Sequence, residues 1–404
     1  MTTAYPVPPA PMAVERLADW IRRDGSRAIT VLFDPAIAGQ PVATTVTERV
    51  GRAGVTPRVL TATSDSDLGT VESLAESLGE NELVIAVGGG TVVDQAKLAV
   101  LFRRSPEAHD RVRAPQRSGM VALPPHLGTS VRVVAVPTTL GTGTELSTVA
   151  CVTHAGGKRL VTGPCLRPAA SVLTTEATGT LPVRLVSEGV LEALFRTVSP
   201  YVGDHADLPE PDALTEDLAV RLVRVGDRVR RLRSAGEPVD GATRLRIAEL
   251  SGQSQIGDTN LGRDPYAVKG WLLGNELSSE LGLSKVHAIA ALWPVLWERI
   301  AQGDTRLGSA RRLARIWDRI LATDPYLPTD PAAGIAALTD AWLVDRDIVT
   351  TPERLDAATS RVMRSWGAGL PMLGGLRTHE VRDLFARAVR EDRGVPDETS
   401  APVA

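Results

Sequence analysis

The residues best suited to chemistry form two glycine-rich turns, each of which follows a strand-like apolar run. The first turn is Gly88-Gly89-Gly90-Thr91, and the helical pattern after it contains Asp94. Three residues without side chains allow the backbone to come close to a phosphate, and the free amides of a helix N-terminus point at its charge. The spacing differs from the GxGxxG fingerprint, so the turn predicts a phosphate site but not an ordinary Rossmann domain.

The second turn follows a later strand-like run, at residues 131–136, and is rich in hydroxyl groups as well as glycine. Its threonines Thr138, Thr139 and Thr142 could hold a ribose or a pyrophosphate. Ligands of parallel sheets bind outside the carboxyl ends of the strands. Because both turns directly follow strands, we expect them to meet and to bind one dinucleotide between them.

The elements that must position these turns alternate along the first half of the chain. Strand-like runs cover 28–34, 58–63, 83–87 and 131–136, and helical patterns cover 12–23, 42–53, 68–78 and 92–102. This alternation predicts a parallel sheet with helices on both faces. After Leu181, apolar residues recur at helical spacing. We therefore expect an α/β dinucleotide-binding domain over 1–180, an all-α catalytic domain over 181–390 and a disordered tail over 391–404.

Composition excludes several classes of protein. The net charge of −3 gives no indication of nucleic-acid or membrane binding, and two cysteines are too few for a disulfide framework. The first thirty residues lack the pattern of a signal peptide, and no apolar run reaches transmembrane length. We therefore expect a cytoplasmic protein with a small-molecule or peptide substrate, acting as a homodimer or beside a pathway partner.

Lysine is rare in this chain. Only four of the 45 basic residues are lysines, and they are Lys97, Lys158, Lys269 and Lys285. Burial can lower the pKa of a lysine into the working range of an enzyme, which is not true of arginine. The four lysines are therefore candidates for chemical roles.

Both turns resemble the signature motifs of one enzyme family. The first resembles the GGGSxxDxxK motif of the iron-containing alcohol dehydrogenases, and PTTLGTGTE resembles their PTTxGTGSE motif. The resemblance implies a dehydroquinate synthase-like fold with NAD(P) along the turns. Lys158 lies where the family has a lysine after the second motif, and Asp34 is similar to its acidic residue beside the adenosine ribose. A carboxylate there repels a 2′-phosphate, so we expect NAD rather than NADP.

The chain departs from the family at the positions that would hold a metal. The family binds its metal through one Asp and three His. By resemblance, the Asp position falls on Glu192 and the histidine positions on Arg196, Trp271 and Lys285, while a substrate-side histidine falls on Asn275. Arginine and lysine cannot ligate a divalent ion at neutral pH and would repel it. We therefore expect no metal.

The same positions suggest what replaces the ion. Glu192 and Arg196 are four residues apart in a helical stretch and share one face. Arg196 and Lys285 could stabilise an alkoxide or hold a substrate carboxylate, or they could simply pair with neighbouring residues in the cleft. Beside an arginine in a partly dry cleft, Lys285 would have a lowered pKa and could act as general base. His287 is the other candidate base.

These features favour a metal-independent, NAD-dependent alcohol dehydrogenase. Its substrate could carry a carboxylate, and the resemblance suggests one example from natural-product maturation. There, a peptide C-terminal threonine is oxidised to a β-keto acid that loses CO2. An NAD-dependent cyclase of the dehydroquinate synthase type and a non-catalytic partner protein remain alternatives, although a partner protein has no need of a pyrophosphate site.

Overall fold

The strand-like runs of the N-terminal half form a parallel sheet in this computed structural model, which describes residues 10–63 and 66–392. The strands are β1 (Ile29–Phe33), β2 (Arg58–Thr61), β3 (Leu83–Gly88), β4 (Met120–Ala122), β5 (Val131–Pro137), β6 (Val149–His154), β7 (Gly157–Thr162), β8 (Pro168–Ser171), β9 (Val349–Thr350) and β10 (Arg390–Glu391). The central sheet has the order β2-β1-β3-β5-β8. Every residue of β1 and β3 is buried, because helices cover both faces.

Helices connect these strands and make up most of the C-terminal half. In chain order they are α1 (Leu17–Asp24), α2 (Pro41–Arg52), α3 (Leu68–Ser77), α4 (Gly90–Arg104), α5 (Pro106–Arg113), α6 (Val183–Gly203), α7 (Pro209–Ser234), α8 (Gly241–Gln253), α9 (Lys269–Leu281), α10 (Lys285–Ala301), α11 (Ala310–Leu321), α12 (Pro331–Ala341), α13 (Pro352–Trp366) and α14 (Thr378–Ala388). None of the helices in the described ranges is long and apolar enough to cross a membrane. An α/β domain followed by a helical domain confirms the predicted fold class.

The strand order brings the two glycine-rich turns and Asp34 to one edge of the central sheet. The chain passes from β1 to its neighbour β2 and then returns to the other side of β1 to form β3. Ligands of open α/β sheets bind at such a reversal, outside the carboxyl ends of the strands. Asp34 follows β1, Gly88 ends β3 and Pro137 ends β5, so all three lie at this position.

A second, three-stranded sheet is missing from the sequence prediction. β6 and β7 form an antiparallel hairpin, and β4 pairs in parallel with β7. The apolar run at the start of β6 is only four residues long, and β7 begins with a glycine and two basic residues, so the hairpin gives a weak strand signal. Arg361 of α13 donates to the carbonyl oxygen of Gly156 at 3.1 Å and thereby joins the hairpin to the helical half.

The C-terminal end differs in part from the predicted disordered tail over 391–404. Glu391 belongs to β10, which pairs in parallel with β9. Residues 393–404 lie outside the described residues. The proposed domain boundary, between residues 180 and 181, falls in the connection between β8 and α6.

Candidate active site

The two glycine-rich turns lie against each other. The backbone amide of Thr138 donates to the carbonyl oxygen of Gly88 at 3.0 Å. A Cβ atom added at Gly89 would lie 3.2 Å from Cγ2 of Thr139, and one added at Gly90 would lie 3.3 Å from Cγ2 of Thr142. Glycine at both positions therefore keeps the space between the turns open at the N-terminus of α4, whose next residue, Thr91, is exposed.

Two hydroxyl groups in this space have no protein partner. The side-chain oxygens of Thr139 and Thr142 are buried, and neither makes a hydrogen bond within residues 10–63 and 66–392. A buried hydroxyl without a partner costs free energy, so a ligand that accepts or donates a hydrogen bond here would be stabilised. The open backbone, the helix N-terminus and the two hydroxyls together fit the pyrophosphate and ribose of a dinucleotide.

Asp34 lies beside this space at the end of β1. Its backbone amide donates to the carbonyl oxygen of Val87 at 2.9 Å, and one carboxylate oxygen accepts from the amide of Ala36 at 2.9 Å. The second bond closes a local turn that fixes the carboxylate at the strand end. Its position at the edge of the site is compatible with the expected contact to the adenosine ribose.

Asp94, by contrast, has protein partners at both carboxylate oxygens. It accepts from the amide of Cys151 at 3.0 Å and from the hydroxyl of Thr144 at 2.9 Å. Burial raises the pKa of Asp94, and the charge of Lys97 opposes that shift. The fully buried Lys97 in turn donates to the carbonyl oxygens of Thr144 and Ser147, at 2.6 and 3.2 Å. Both residues fasten the second turn to α4.

The positions at which the family would bind a metal converge in the structure. Arg196, on α6, donates to Glu192 at 2.8 Å. Its guanidinium carbon lies 5.3 Å from the ring centre of Trp271 on α9, and the ammonium nitrogen of Lys285 lies 5.6 Å from the same centre. Gly282, with a φ of 66°, ends α9, and Ser284 caps α10, so Lys285 begins the helix that folds back along α9.

Arg196 is held by acceptors of the protein. Besides Glu192, it donates to the carbonyl oxygen of Gly141 at 2.5 Å and to the hydroxyl of Ser254 at 3.2 Å. Gln255 also holds the second turn, by donating to the carbonyl oxygen of Thr142 at 2.8 Å. The sequence contains no signal for these contacts, because they join segments more than fifty residues apart.

Lys285 and Asn275 have unused hydrogen-bonding capacity. Within the described ranges, the ammonium group of Lys285 makes no hydrogen bond or ion pair, and it lies over the ring of Trp271. Asn275 lies one turn after Trp271 on α9, and its side-chain oxygen is buried without a partner in the same part of the chain. Because residues four apart share a helix face, the amide and the ring line one surface.

Lys158, at the start of β7, lies within electrostatic range of this cluster. Burial lowers the pKa of Lys158, and the positive charge of Lys285 lowers it further. The same two ammonium groups act on the thiol of Cys151, whose pKa is raised mainly by burial. Arg361 donates both to Gly156 of this hairpin and to Glu276 of α9, so the hairpin lies beside the helix that carries Trp271.

His287 has a different environment from Lys285. Its Nε2 atom lies 3.1 Å from the carbonyl oxygen of Asp347 and 3.7 Å from the carboxylate of Asp345. Two residues along a helix turn the side chain well away from that of Lys285. The structure thus brings Arg196, Glu192, Lys285 and Asn275 together around Trp271, and it places His287 against the loop before β9.

These side chains do not fit a metal ion. A catalytic site normally needs three protein ligands. No group of three or more His, Cys, Asp or Glu side chains with suitable spacing occurs among the described residues. Arg196 and Lys285 contribute positive charge where ligands would be required.

Comparisons with known proteins give the following relatives. Residues 10–175 match the model of a family described as iron-containing alcohol dehydrogenase. A phosphonoacetaldehyde reductase from Streptomyces viridochromogenes is 37% identical over 173 residues, which are 41% of this chain and 42% of that protein. An NADPH-dependent aldehyde reductase from Escherichia coli is 27% identical over 238 residues, or 58% of each chain. The chain thus matches about half the length of these curated relatives.

The similarity of fold extends over almost the whole chain. An NADH-dependent butanol dehydrogenase from Thermotoga maritima superposes on this protein with a TM-score of 0.77. The superposed region covers 96% of this chain and 99% of the dehydrogenase. Its sequence identity is 18%, so this likeness establishes the fold alone.

Proposed function

We propose that this chain, whose residues 10–175 belong to the iron-containing alcohol dehydrogenase family, is a metal-independent, NAD-dependent oxidoreductase that interconverts a hydroxyl and a carbonyl group. The observation that carries the proposal is the position of Lys285. Its ammonium group has no acceptor in the described chain and lies over Trp271, beside the guanidinium that contacts the second turn. A positive charge is therefore available next to the dinucleotide site.

The chemistry divides between the cofactor and the side chains. Bound NADH would supply the hydride that converts a carbonyl carbon to an alcohol, and NAD would accept it in the reverse reaction. Negative charge then develops on the substrate oxygen, and a fixed ammonium group stabilises it. Lys285 can also donate the proton that this oxygen takes up, and Trp271 holds the ammonium through a cation–π contact. The side-chain amide of Asn275 can donate to the same oxygen.

Metal independence is inferred from the chemistry of the side chains at the ligand positions. By the resemblance, a guanidinium, an indole and an ammonium stand where the family has three histidines. In this arrangement Lys285 supplies the charge near the reacting oxygen, while Arg196 is bound to Gly141 and Glu192.

The preference for NAD rests on Asp34. A carboxylate at the end of β1 would accept hydrogen bonds from the ribose hydroxyls of NAD and repel the 2′-phosphate of NADP. One relative is named NADPH-dependent and one structural neighbour NADH-dependent, so the choice between the cofactors falls to local residues such as this one.

The names of two relatives, a phosphonoacetaldehyde reductase and an aldehyde reductase, support a carbonyl substrate. A narrower proposal is a hydroxyl substrate that bears a carboxylate. For a peptide C-terminal threonine, oxidation of the secondary alcohol would give a β-keto acid that loses CO2. The unpartnered ammonium of Lys285 supports this class, because a lysine in a partly dry cleft can hold a carboxylate.

The test is a fluorescence titration with NADH and NADPH, followed by assays of NADH oxidation with a panel of aldehydes. We expect NADH to bind more tightly than NADPH and at least one aldehyde to be reduced. If neither dinucleotide binds, the proposed function is wrong.

A further inference from the structure

The four lysines of the chain fall into two groups. Lys97 donates to carbonyl oxygens of the second turn, and Lys269 donates to the carbonyl oxygen of Tyr266 at 3.2 Å. The ammonium groups of Lys158 and Lys285 make no hydrogen bond or ion pair with any residue in 10–63 or 66–392; that of Lys285 lies over the ring of Trp271. The ammonium groups of Lys97 and Lys269 thus have acceptors within the protein, whereas those of Lys158 and Lys285 are available to bind a ligand.

Arg361 places the hairpin that carries Lys158 beside α9, because it donates to the carbonyl oxygen of Gly156 at 3.1 Å and to Glu276 at 3.2 Å. The charge of Lys285 lowers the pKa of Lys158, in addition to the larger effect of burial. Like charges in a partly buried site repel each other and are poorly solvated. Such a pair costs free energy unless an anion lies nearby to compensate it.

Asp94 and Glu276, two carboxylates whose charges interact with these lysines, already have hydrogen-bond partners. Both oxygens of Asp94 accept hydrogen bonds from Thr144 and Cys151. Glu276, whose charge also reaches Lys158, accepts from the indole of Trp366 at 3.1 Å and from Arg361 at 3.2 Å. Among the described residues, no acidic side chain forms an ion pair with Lys158 or Lys285.

We propose that Lys158 binds an anionic group of the substrate while Lys285 faces the reacting oxygen. The substrate class is then an aldehyde, or the corresponding alcohol, with a carboxylate or a phosphonate close to the reacting carbon. This inference rests on the proposed function and assigns Lys158 to the substrate rather than to the cofactor. The glycine-rich turns support the assignment, because their amides and hydroxyls can bind a pyrophosphate without a lysine.

The experiment compares three aldehydes of similar size. Phosphonoacetaldehyde and 3-oxopropanoate carry an anionic group, and propanal does not. The measured quantity is the ratio of kcat/KM for each anionic aldehyde to that for propanal, with NADH as reductant. The variants are Lys158→Gln, Lys158→Arg and, as a control, Arg52→Gln, which removes a positive charge from the exposed end of α2.

We expect the ratio to fall about tenfold or more in Lys158→Gln, which is the effect of losing one charge-assisted hydrogen bond. The ratio should persist in Lys158→Arg and be unchanged in Arg52→Gln. A larger fall for phosphonoacetaldehyde than for 3-oxopropanoate would identify a phosphonate as the natural group, and the reverse a carboxylate.

Binding is measured separately by calorimetry with phosphonoacetate, which has no carbonyl group that NADH can reduce. Binding that is weaker in Lys158→Gln, with an unchanged Kd for NADH, supports the proposal. The proposal is overturned if the ratio is unchanged in Lys158→Gln, whether or not the variant binds NADH more weakly. If NADH binds but no aldehyde is reduced, the proposed function fails, and the phosphonoacetate titration alone decides whether the anion site exists.

Discussion

Arg196 and Lys285 lie over the same tryptophan ring, but they differ in what they can bind. The guanidinium of Arg196 donates to Gly141, Ser254 and Glu192. The ammonium group of Lys285 makes no hydrogen bond or ion pair within the ranges that the structure describes. A substrate oxygen can therefore gain a charge-assisted hydrogen bond from Lys285 without breaking an existing one.

Replacing Lys285 should affect turnover more than cofactor binding. We expect Lys285→Met to lower kcat by about a hundredfold or more, the usual effect of losing an acid–base or charge-stabilising group. The Kd for NADH should barely change, because we propose that the glycine-rich turns, and not Lys285, bind the cofactor. Lys285→Arg separates the two roles, since it keeps the charge but does not give up its proton. Equal turnover in Lys285→Met and the parent would exclude a catalytic role.

Gly89 should be essential for cofactor binding. A side chain at this position would enter the space between the turns, where a Cβ atom already approaches Thr139 to 3.2 Å. We expect Gly89→Val to abolish NADH binding while the fold persists, because its φ of −70° suits any residue. Calorimetry with NADH measures the effect, and Gly39→Val, in open space, is the control. Unchanged affinity in Gly89→Val would place the dinucleotide elsewhere.

At this scale, residue type and spacing could predict the glycine-rich turns, while only the family resemblance indicated the residues around Trp271. They could not show that Arg196 and Lys285 differ, because the sequence does not reveal which acceptors lie within reach. The same holds for Asp94, whose carboxylate is engaged by Thr144 and Cys151.

At the scale of elements, α6 packs directly on the second turn. A Cβ atom added at Gly141 would lie 2.6 Å from the backbone of Gly189. The helix and the turn can therefore approach this closely only because both positions are glycine. Arg196 then joins the same two elements through the carbonyl oxygen of Gly141. We infer that Arg196 positions the turn for the cofactor and is not itself a catalytic residue.

Arg196→Gln should therefore weaken the complex with NADH. We expect the Kd to rise about tenfold, the effect of losing a hydrogen bond from a charged donor. Arg184→Gln is a matched control, because Arg184 also pairs with a glutamate four residues away on α6 but has an exposed side chain. Unchanged NADH affinity together with a large loss of kcat would instead show that Arg196 acts on the substrate.

The elements differ in how far the sequence could predict them. β1, β3 and β5 are buried strands with continuous apolar runs, and their prediction is confirmed. The hairpin of β6 and β7 is only partly buried and has short apolar runs interrupted by polar residues, so its strand signal is weak. This hairpin nevertheless carries Lys158.

At the scale of the whole molecule, a buried charge network holds the helical half together. The carboxylate of Asp212, on α7, accepts from Arg312 of α11 at 2.6 Å and from Arg263 at 2.8 Å. All three side chains are almost fully buried. Removing one partner from such a network leaves the others charged and unpaired.

Asp212→Asn should therefore destabilise the protein strongly. We expect the free energy of unfolding to fall by about 3–5 kcal/mol, the usual cost of breaking a buried pair. Asp217→Asn is the control, because Asp217 pairs with Arg221 on the same helix but is exposed. Its effect should be within about 1 kcal/mol. Denaturant unfolding measures both, and equal losses would contradict a structural role for the network.

The pH dependence of this contribution follows from the pKa of Asp212. Burial alone would raise this pKa, but hydrogen bonds from Arg312 and Arg263 lower it to about 2. A carboxyl group with a lowered pKa in the folded state stabilises the fold above its unfolded value near 3.8, and the contribution is lost as the pH falls toward 2. The parent should therefore lose stability over this range, and Asp212→Asn should lose less, because Asp240 and Glu380, whose pKa values are also lowered to about 2, still titrate there.

The central claim is that this protein transfers hydride between a nicotinamide and a carbonyl carbon with Lys285, not a metal, beside the reacting oxygen. The most direct measurement is the rate of NADH-dependent aldehyde reduction by protein that has been dialysed against a chelator. We predict that the rate equals that of the untreated protein and does not increase on addition of Fe²⁺ or Zn²⁺. Loss of the activity in chelator, with recovery on addition of either ion, would contradict the account.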